Sequence, residues 1–254
     1  MTIRGVLLDL SGVLYVGEHS LAGAREALER LHAAGLPVRY ITNTTRSTRR
    51  EIVARLAAMD LRIPPEEVFT APLAARRLIE ERGLRPLLLV HSGLEEEFAG
   101  LDTGRPDAVL VGDAGEAFTY ARLNEAFHLL IEGAPLMAMA RNRYFKDGDA
   151  LSLDAGPFVA ALEYAAGVDA EVIGKPSRPF FRSAAGDFEC GPNEVVVVGD
   201  DVEADVVGAV AAGMQGILVR TGKYRSGDEA LLPDGAMLSR DIGDAVSWII
   251  EHTS

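Results

Sequence analysis

The chain has 254 residues, 48% of them hydrophobic and 25% charged, which suits one large domain or two small ones and excludes a disordered chain. Its 25 Lys and Arg against 38 Asp and Glu leave a formal charge of −13, a surface that repels nucleic acid and anionic membranes. One cysteine, Cys190, excludes a disulfide framework and a cysteine-rich zinc site; no apolar run reaches a membrane span or a signal-peptide core, so the expected location is the cytoplasm.

Val- and Leu-rich runs alternate with stretches of helical apolar spacing. In chain order these predict strand 5–8, helix 24–34, strand 38–41, helices 49–59 and 74–81, strands 87–91 and 108–111, and helix 116–132. Strand 136–140, helices 158–166 and 178–188, strand 195–198, helix 202–212 and strand 216–219 follow. Gly35, Gly83, Gly167 and Gly213 close helical runs as C-terminal caps. The alternation predicts an α/β fold with a doubly wound, mostly parallel, Rossmann-like sheet. Residues 75–171 carry a strand–helix series of their own, so a smaller α/β unit is expected inside a core of 1–74 and 172–254. VLVGDAGEAF at 109–118 echoes VVVGDDVEAD at 196–205, but a strand ending in Gly-Asp before a helix is ordinary α/β grammar.

Four polar clusters lie just past strand ends or open a helix, the ends at which open parallel sheets bind ligands. In LLDLSGVLY a buried strand ends on Asp9, with Ser11 and Gly12 following. A carboxylate leaving a buried strand is either a turn cap or a nucleophile that also holds a metal, since its desolvation needs a partner. In YITNTTRSTRR a strand ends on Thr42 and Asn43, donors that suit phosphate oxygens but also build turns; Arg46, Arg49 and Arg50 read as a solvated helix face. IGKPSRPFF sets Lys175 between Gly174 and Pro176, where a surface lysine becomes a fixed positive charge. VVVVGDDVEAD delivers Asp200 and Asp201, with Asp205 one turn on. Three carboxylates within six residues repel unless a cation or donors compensate. Magnesium, which takes one or two carboxylates plus substrate phosphate, fits that need. Helix N-terminal acids favoured by the dipole explain Asp201 and Asp205 better than Asp200.

Asp9, Thr42, Lys175 and Asp200, in that order and spacing, resemble the four signature motifs of the haloacid dehalogenase superfamily of phosphohydrolases. The insertion between the second and third resembles the type IIA cap of the NagD-like phosphatases. DLSGVLY, RYFKDGDALSLDAGPFVAALEYAAG, EVIGKPS, GDDVEAD and LVRTGKYR look most like the branch acting on phospholysine, phosphohistidine and inorganic pyrophosphate. The resemblance implies a phosphatase in which Asp9 attacks phosphorus, forming an aspartyl-phosphate that water then hydrolyses. Asp9, the Ser11 carbonyl and Asp200 would hold Mg²⁺, with Asp201 and Asp205 behind them. Asp9, Leu10, Ser11, Thr42, Asn43 and Lys175 would surround the phosphoryl group.

The chain departs from the superfamily at Ser11, where most of its phosphatases carry an acid–base Asp. That points to P–N, P–O–P and aryl phosphate bonds, whose leaving groups depart without a proton donor. The alternatives are a general sugar or nucleotide monophosphate phosphatase of the NagD type, and a non-catalytic phospho-ligand binding protein. The expected partner is a small phosphorylated substrate such as phosphohistidine, phospholysine or pyrophosphate. Neither nucleic acid nor membrane is expected, and cap groups of this kind suggest a homodimer. The loop 142–156 is the expected substrate-contacting part of the cap. Cys190 reads as an idle or buried thiol, and Trp248 in AVSWII as core packing.

Overall fold

The computed structural model describes residues 2–147 and 150–253, so the 142–156 loop is described except at Gly148 and Asp149. The chain divides into two compact units. The first holds Met1–Thr42, Arg49–Phe69 and Lys175–Ser254; the second holds Asn43–Thr48 and Thr70–Gly174.

The first unit begins with β1 (Gly5–Asp9), buried along its whole length as GVLLD requires when both faces of a strand are covered. A short ribbon of β2 (Tyr15–Val16) and β3 (His19–Ser20) leads into α1 (Ala24–Ala33). There follow β4 (Val38–Thr42), α2 (Arg49–Ala58) and β5 (Val68–Thr70). The chain then builds the second unit from α3 (Ala71–Arg82), β6 (Pro86–Leu89), β7 (Ala108–Val111), α4 (Tyr120–Ile131) and β8 (Leu136–Ala138). It completes it with β9 (Tyr144–Asp147), β10 (Ala150–Leu153), α5 (Ala155–Ala166) and β11 (Glu171–Val172). Back in the first unit come α6 (Arg178–Ala184), β12 (Val195–Gly199), α7 (Gly208–Ala211), β13 (Gln215–Val219), β14 (Met237–Ser239) and α8 (Ile242–Glu251).

Among the described residues the first unit carries a six-stranded sheet in the order β14-β13-β12-β1-β4-β5. The pairings from β14 through β4 are parallel. The chain winds outward from β1 through β4 to β5, then restarts at β12 and winds the other way. The strand order therefore reverses between β1 and β12, and ligands of doubly wound sheets bind at that switch point. Leu8 pairs with Val198 in register, so Asp9 and Asp200 leave adjacent strand ends side by side.

Helix positions follow from apolar spacing. α1 buries Ala24, Ala27, Leu28 and Leu31, and α8 buries Ile242, Ala245, Val246 and Ile249; the two helices pack together. Both stripes join one core with Val6, Leu8, Val196 and Val198, against which Trp248 packs partly buried. Cys190 is half-buried and free. In the second unit the parallel sheet β11-β8-β7-β6 packs Val109 and Val111 against Ala126 and Leu130 of α4 and Val159 and Leu162 of α5.

Several elements differ from the sequence reading. The stretch 116–132 is not one helix: a tight turn at Gly115–Ala117 precedes α4, and the Thr119 hydroxyl caps α4 by accepting from Arg122 N–H. The stretch 178–188 stops at Ala184. Helix 202–212 opens as a wide π-helical turn at Val202–Val207 before α7. The breaks between units fall at 69/70 and 174/175 rather than 74/75 and 171/172, and residues 43–48 go with the second unit. There Arg46 is not on a helix face: it ion-pairs with buried Asp113 and lies over the Phe145 ring, 4.2 Å from its centroid.

Candidate active site

Asp9 ends β1 and is buried, a position that demands a partner for its charge. That partner is Lys175, whose Nζ donates to Asp9 Oδ1 at 2.5 Å and to Asp205 Oδ1 at 2.6 Å. Lys175 is itself buried, in the loop preceding α6. Asp205 is fully buried on the wide turn Val202–Val207, and its Oδ2 accepts from Asp201 N–H at 3.1 Å. Gly199 is required for this: a β-carbon there would lie 2.2 Å from that of Asp205.

Asp200 leaves β12 beside Asp9, and its Oδ2 accepts from Lys223 N–H at 2.6 Å. Its Oδ1 is buried with no partner, the costly state for a carboxylate oxygen. Asp9, Asp200 and Asp205 bring one carboxylate oxygen each within 4.8 Å of one another. Asp201 stands apart, its Oδ1 accepting from Ala204 N–H as a cap and its Oδ2 lying 3.5 Å from Lys223 Nζ. Leu10 is buried, whereas Ser11 is exposed and bridges to Tyr15 through the backbone.

Thr42 ends β4, buried, one residue past Ile41, which pairs in register with Asp9. The sheet therefore brings Thr42 to the strand ends that carry Asp9 and Asp200. Asn43 falls in the second unit, where its Oδ1 faces Gly174; a β-carbon on Gly174 would come within 2.6 Å of that oxygen.

Three carboxylates crowd the Lys175 ammonium, with Lys223 adding a second positive charge that also acts on them. Burial pushes the Asp9 carboxyl up to about 7; the Lys175 ammonium opposes the rise, and Asp205 and Asp200 add to it. Burial also pushes Asp200 up to about 6, against the Lys223 N–H that favours its charged form. Lys175 is desolvated too, but Asp205 and Asp9 outweigh that and hold it above the usual lysine range. An all-oxygen donor set, an unpartnered buried carboxylate oxygen and three crowded carboxylates fit a hard divalent cation.

The sequence reading named Asp9, Lys175 and Asp200, which the fold gathers. It missed the turn Thr221–Lys223, which supplies the N–H to Asp200; RTGK has no charge pattern that announces such a contact.

A doubly wound α/β core with its buried polar residues gathered at the switch point defines a ligand-binding enzyme architecture. Residues 6–104 match the family model described as haloacid dehalogenase-like hydrolase, and residues 172–245 the one described as HAD-hydrolase-like. The chain is 47% identical to haloacid dehalogenase-like hydrolase domain-containing protein 2 of Rattus norvegicus over 98% of this chain and 97% of that one. It is 41% identical to the human phospholysine phosphohistidine inorganic pyrophosphate phosphatase over 98% and 95%. Among solved structures, a 4-nitrophenylphosphatase from Thermotoga maritima matches with a TM-score of 0.88 at 26% identity, covering 97% of each chain. A glycerol phosphate phosphatase from Mycobacterium tuberculosis, in complex with magnesium, matches at 0.83 and 27%, covering 94% of this chain and 76% of that one. NagD of E. coli K-12 shares the fold at 0.86 and 23%, covering 96% and 98%. The chain belongs to the haloacid dehalogenase-like hydrolases, as an enzyme of their NagD-type phosphatase class.

Proposed function

We propose that this enzyme hydrolyses small phosphorylated substrates through an aspartyl-phosphate on Asp9, with Mg²⁺ as cofactor. The observation that carries the reading is the arrangement at the switch point: Asp9 held by Lys175, with Asp200 Oδ1 buried and unpartnered beside it. Asp9, Asp200 and the Ser11 carbonyl are the proposed ligands of the cation. When bound, Mg²⁺ supplies positive charge that offsets the repulsion between the carboxylates and an incoming phosphate dianion.

In this reading an Asp9 oxygen attacks phosphorus in line with the departing group, and water then attacks the phosphorus of the acyl phosphate. Lys175 orients Asp9 and faces the phosphoryl oxygens, a fixed cation where charge develops. Asp205 keeps Lys175 in place, and Asp201 caps the turn that carries Asp205. Thr42 and Asn43 donate to the phosphoryl oxygens, and Leu10, its side chain buried in the core, adjoins them through its backbone. The segment 75–171 acts as the cap that selects the substrate, in a cytoplasmic enzyme that pairs as a homodimer.

Ser11 sets the substrate class. A serine hydroxyl is too weak an acid to protonate a departing alkoxide, and a positioned acid is worth roughly 10²–10⁴ in rate. Phosphoramidates, pyrophosphate and aryl phosphates need no such acid. The relatives named for phospholysine, phosphohistidine and pyrophosphate, and the neighbour named for 4-nitrophenyl phosphate, are in keeping with this.

Phosphate release from pyrophosphate and 4-nitrophenyl phosphate, measured with magnesium and with excess EDTA, tests the proposal. EDTA should abolish release, and Asp9→Asn should leave less than about a hundredth of the rate in a folded protein. Activity that survives EDTA would remove the cation from the reading.

A further inference from the structure

The turn within LVRTGKYR meets the site at two points. After β13 ends at Val219, Arg220 N–H still bonds Ser239 O, and the chain then bends at Thr221–Tyr224. The Thr221 hydroxyl donates to the carbonyl of Gly12, the residue that follows Ser11. Two residues on, Lys223 N–H donates to Asp200 Oδ2. Between them Gly222 adopts φ +63° and presses on both partners. A β-carbon there would lie 2.0 Å from Asp200 Oδ2 and 2.4 Å from Gly12 Cα. Gly12, at φ +86°, is its counterpart, since a β-carbon on it would lie 1.8 Å from the same oxygen. Two backbone segments thus close around one carboxylate with no room for a side chain.

The consequence for Asp200 is geometric. One of its oxygens is tied to Lys223 N–H, which fixes the plane of the carboxylate, and the other remains buried and unpartnered. We infer that Thr221, Gly222 and the backbone of Lys223 form a positioning clamp that presets Asp200 Oδ1 for the divalent cation and couples it to the Gly12 loop. This rests on the proposal that Asp9 and Asp200 hold the cation. The Lys223 side chain is not part of the clamp: it is mostly exposed, and its Nζ lies 3.5 Å from Asp201 Oδ2. Groups that orient metal ligands typically change metal affinity by about 10- to 100-fold when removed.

Manganese(II), which gives a free-ion paramagnetic resonance signal, serves as a probe of the substrate-free enzyme. The wild-type chain should bind it, and Thr221→Val and Gly222→Ala should each weaken binding about tenfold or more. Thr221→Ser, which keeps the hydroxyl, should restore it, and Lys223→Ala, which keeps the N–H, should not weaken it. The rise in Tm on adding magnesium should shrink in the same two weakened variants and not in the other two. The inference is overturned if folded Thr221→Val and folded Gly222→Ala bind manganese as tightly as wild type, or if Thr221→Ser is as weak as Thr221→Val. Wild-type protein that binds no manganese contradicts the cation site itself, a failure distinct from that of the clamp, and overturns both.

Discussion

Lys175 bonds two of three buried carboxylates, and the balance of charge in that cluster governs what pH does to it. Asp9 is raised to about 7 and Asp200 to about 6, well above unfolded carboxylates. The metal-free folded chain therefore holds protons that the unfolded chain has lost. The stability these two groups contribute falls as pH rises from about 4 through 7, where the folded groups finally ionise. On the proposed function magnesium would bind the ionised carboxylates, so the gap in Tm with and without magnesium should widen over that range. Below about pH 6 its affinity should fall by about tenfold per pH unit for each proton displaced. Calorimetric scans from pH 5 to 8 check this; a gap independent of pH would remove Asp9 and Asp200 as ligands. Asp9, Lys175 and Asp200 were legible in the sequence because a charge at the end of a buried apolar run is conspicuous. Thr221 and Gly222 were not, because what they touch, Gly12 and Asp200, is brought to them by the sheet.

At the scale of elements, legibility tracked burial. The strand at 108–111 is found at Ala108–Val111, and those over 5–8 and 195–198 each gain one residue, Asp9 and Gly199, at the end that carries the site. β5 and β14 escaped because three residues show no periodicity. The β9–β10 hairpin escaped because Tyr144, Leu151 and Leu153 point to solvent, reversing the usual pattern. The π-helical turn at Val202–Val207 is invisible because its apolar spacing reads as an ordinary helix. The α1–α8 pair covers the sheet beneath the site, so its packing supports the site without touching it. Leu31→Ala, fully buried in that layer, should cost about 2–5 kcal/mol in chemical denaturation. Manganese affinity of the folded fraction should be unchanged; a loss of affinity would mean that the strand ends are not rigidly held.

In the whole molecule, no composition shift or linker marks the edges of the second unit. They depend on contacts such as the Arg46–Asp113 pair, which draws 43–48 into that unit. The proposed function assigns substrate choice to the missing acid at Ser11 and to the segment 75–171. Imidazole phosphate, pyrophosphate and 4-nitrophenyl phosphate should outrun sugar phosphates at neutral pH. Ser11→Asp should narrow that difference by supplying an acid. Substitutions within 142–156 should change the ranking of substrates, whereas an equal fall for all would indicate simple destabilisation.

The proposed covalent step on Asp9 is open to direct trapping. Enzyme mixed with pyrophosphate and magnesium, quenched in acid within one turnover and digested, can be read by peptide mass spectrometry. A hydroxylamine-sensitive phosphoryl adduct on the peptide containing Asp9, absent from Asp9→Asn, is the predicted result. Phosphate release with no adduct at any quench time, or turnover retained by Asp9→Asn, would contradict it.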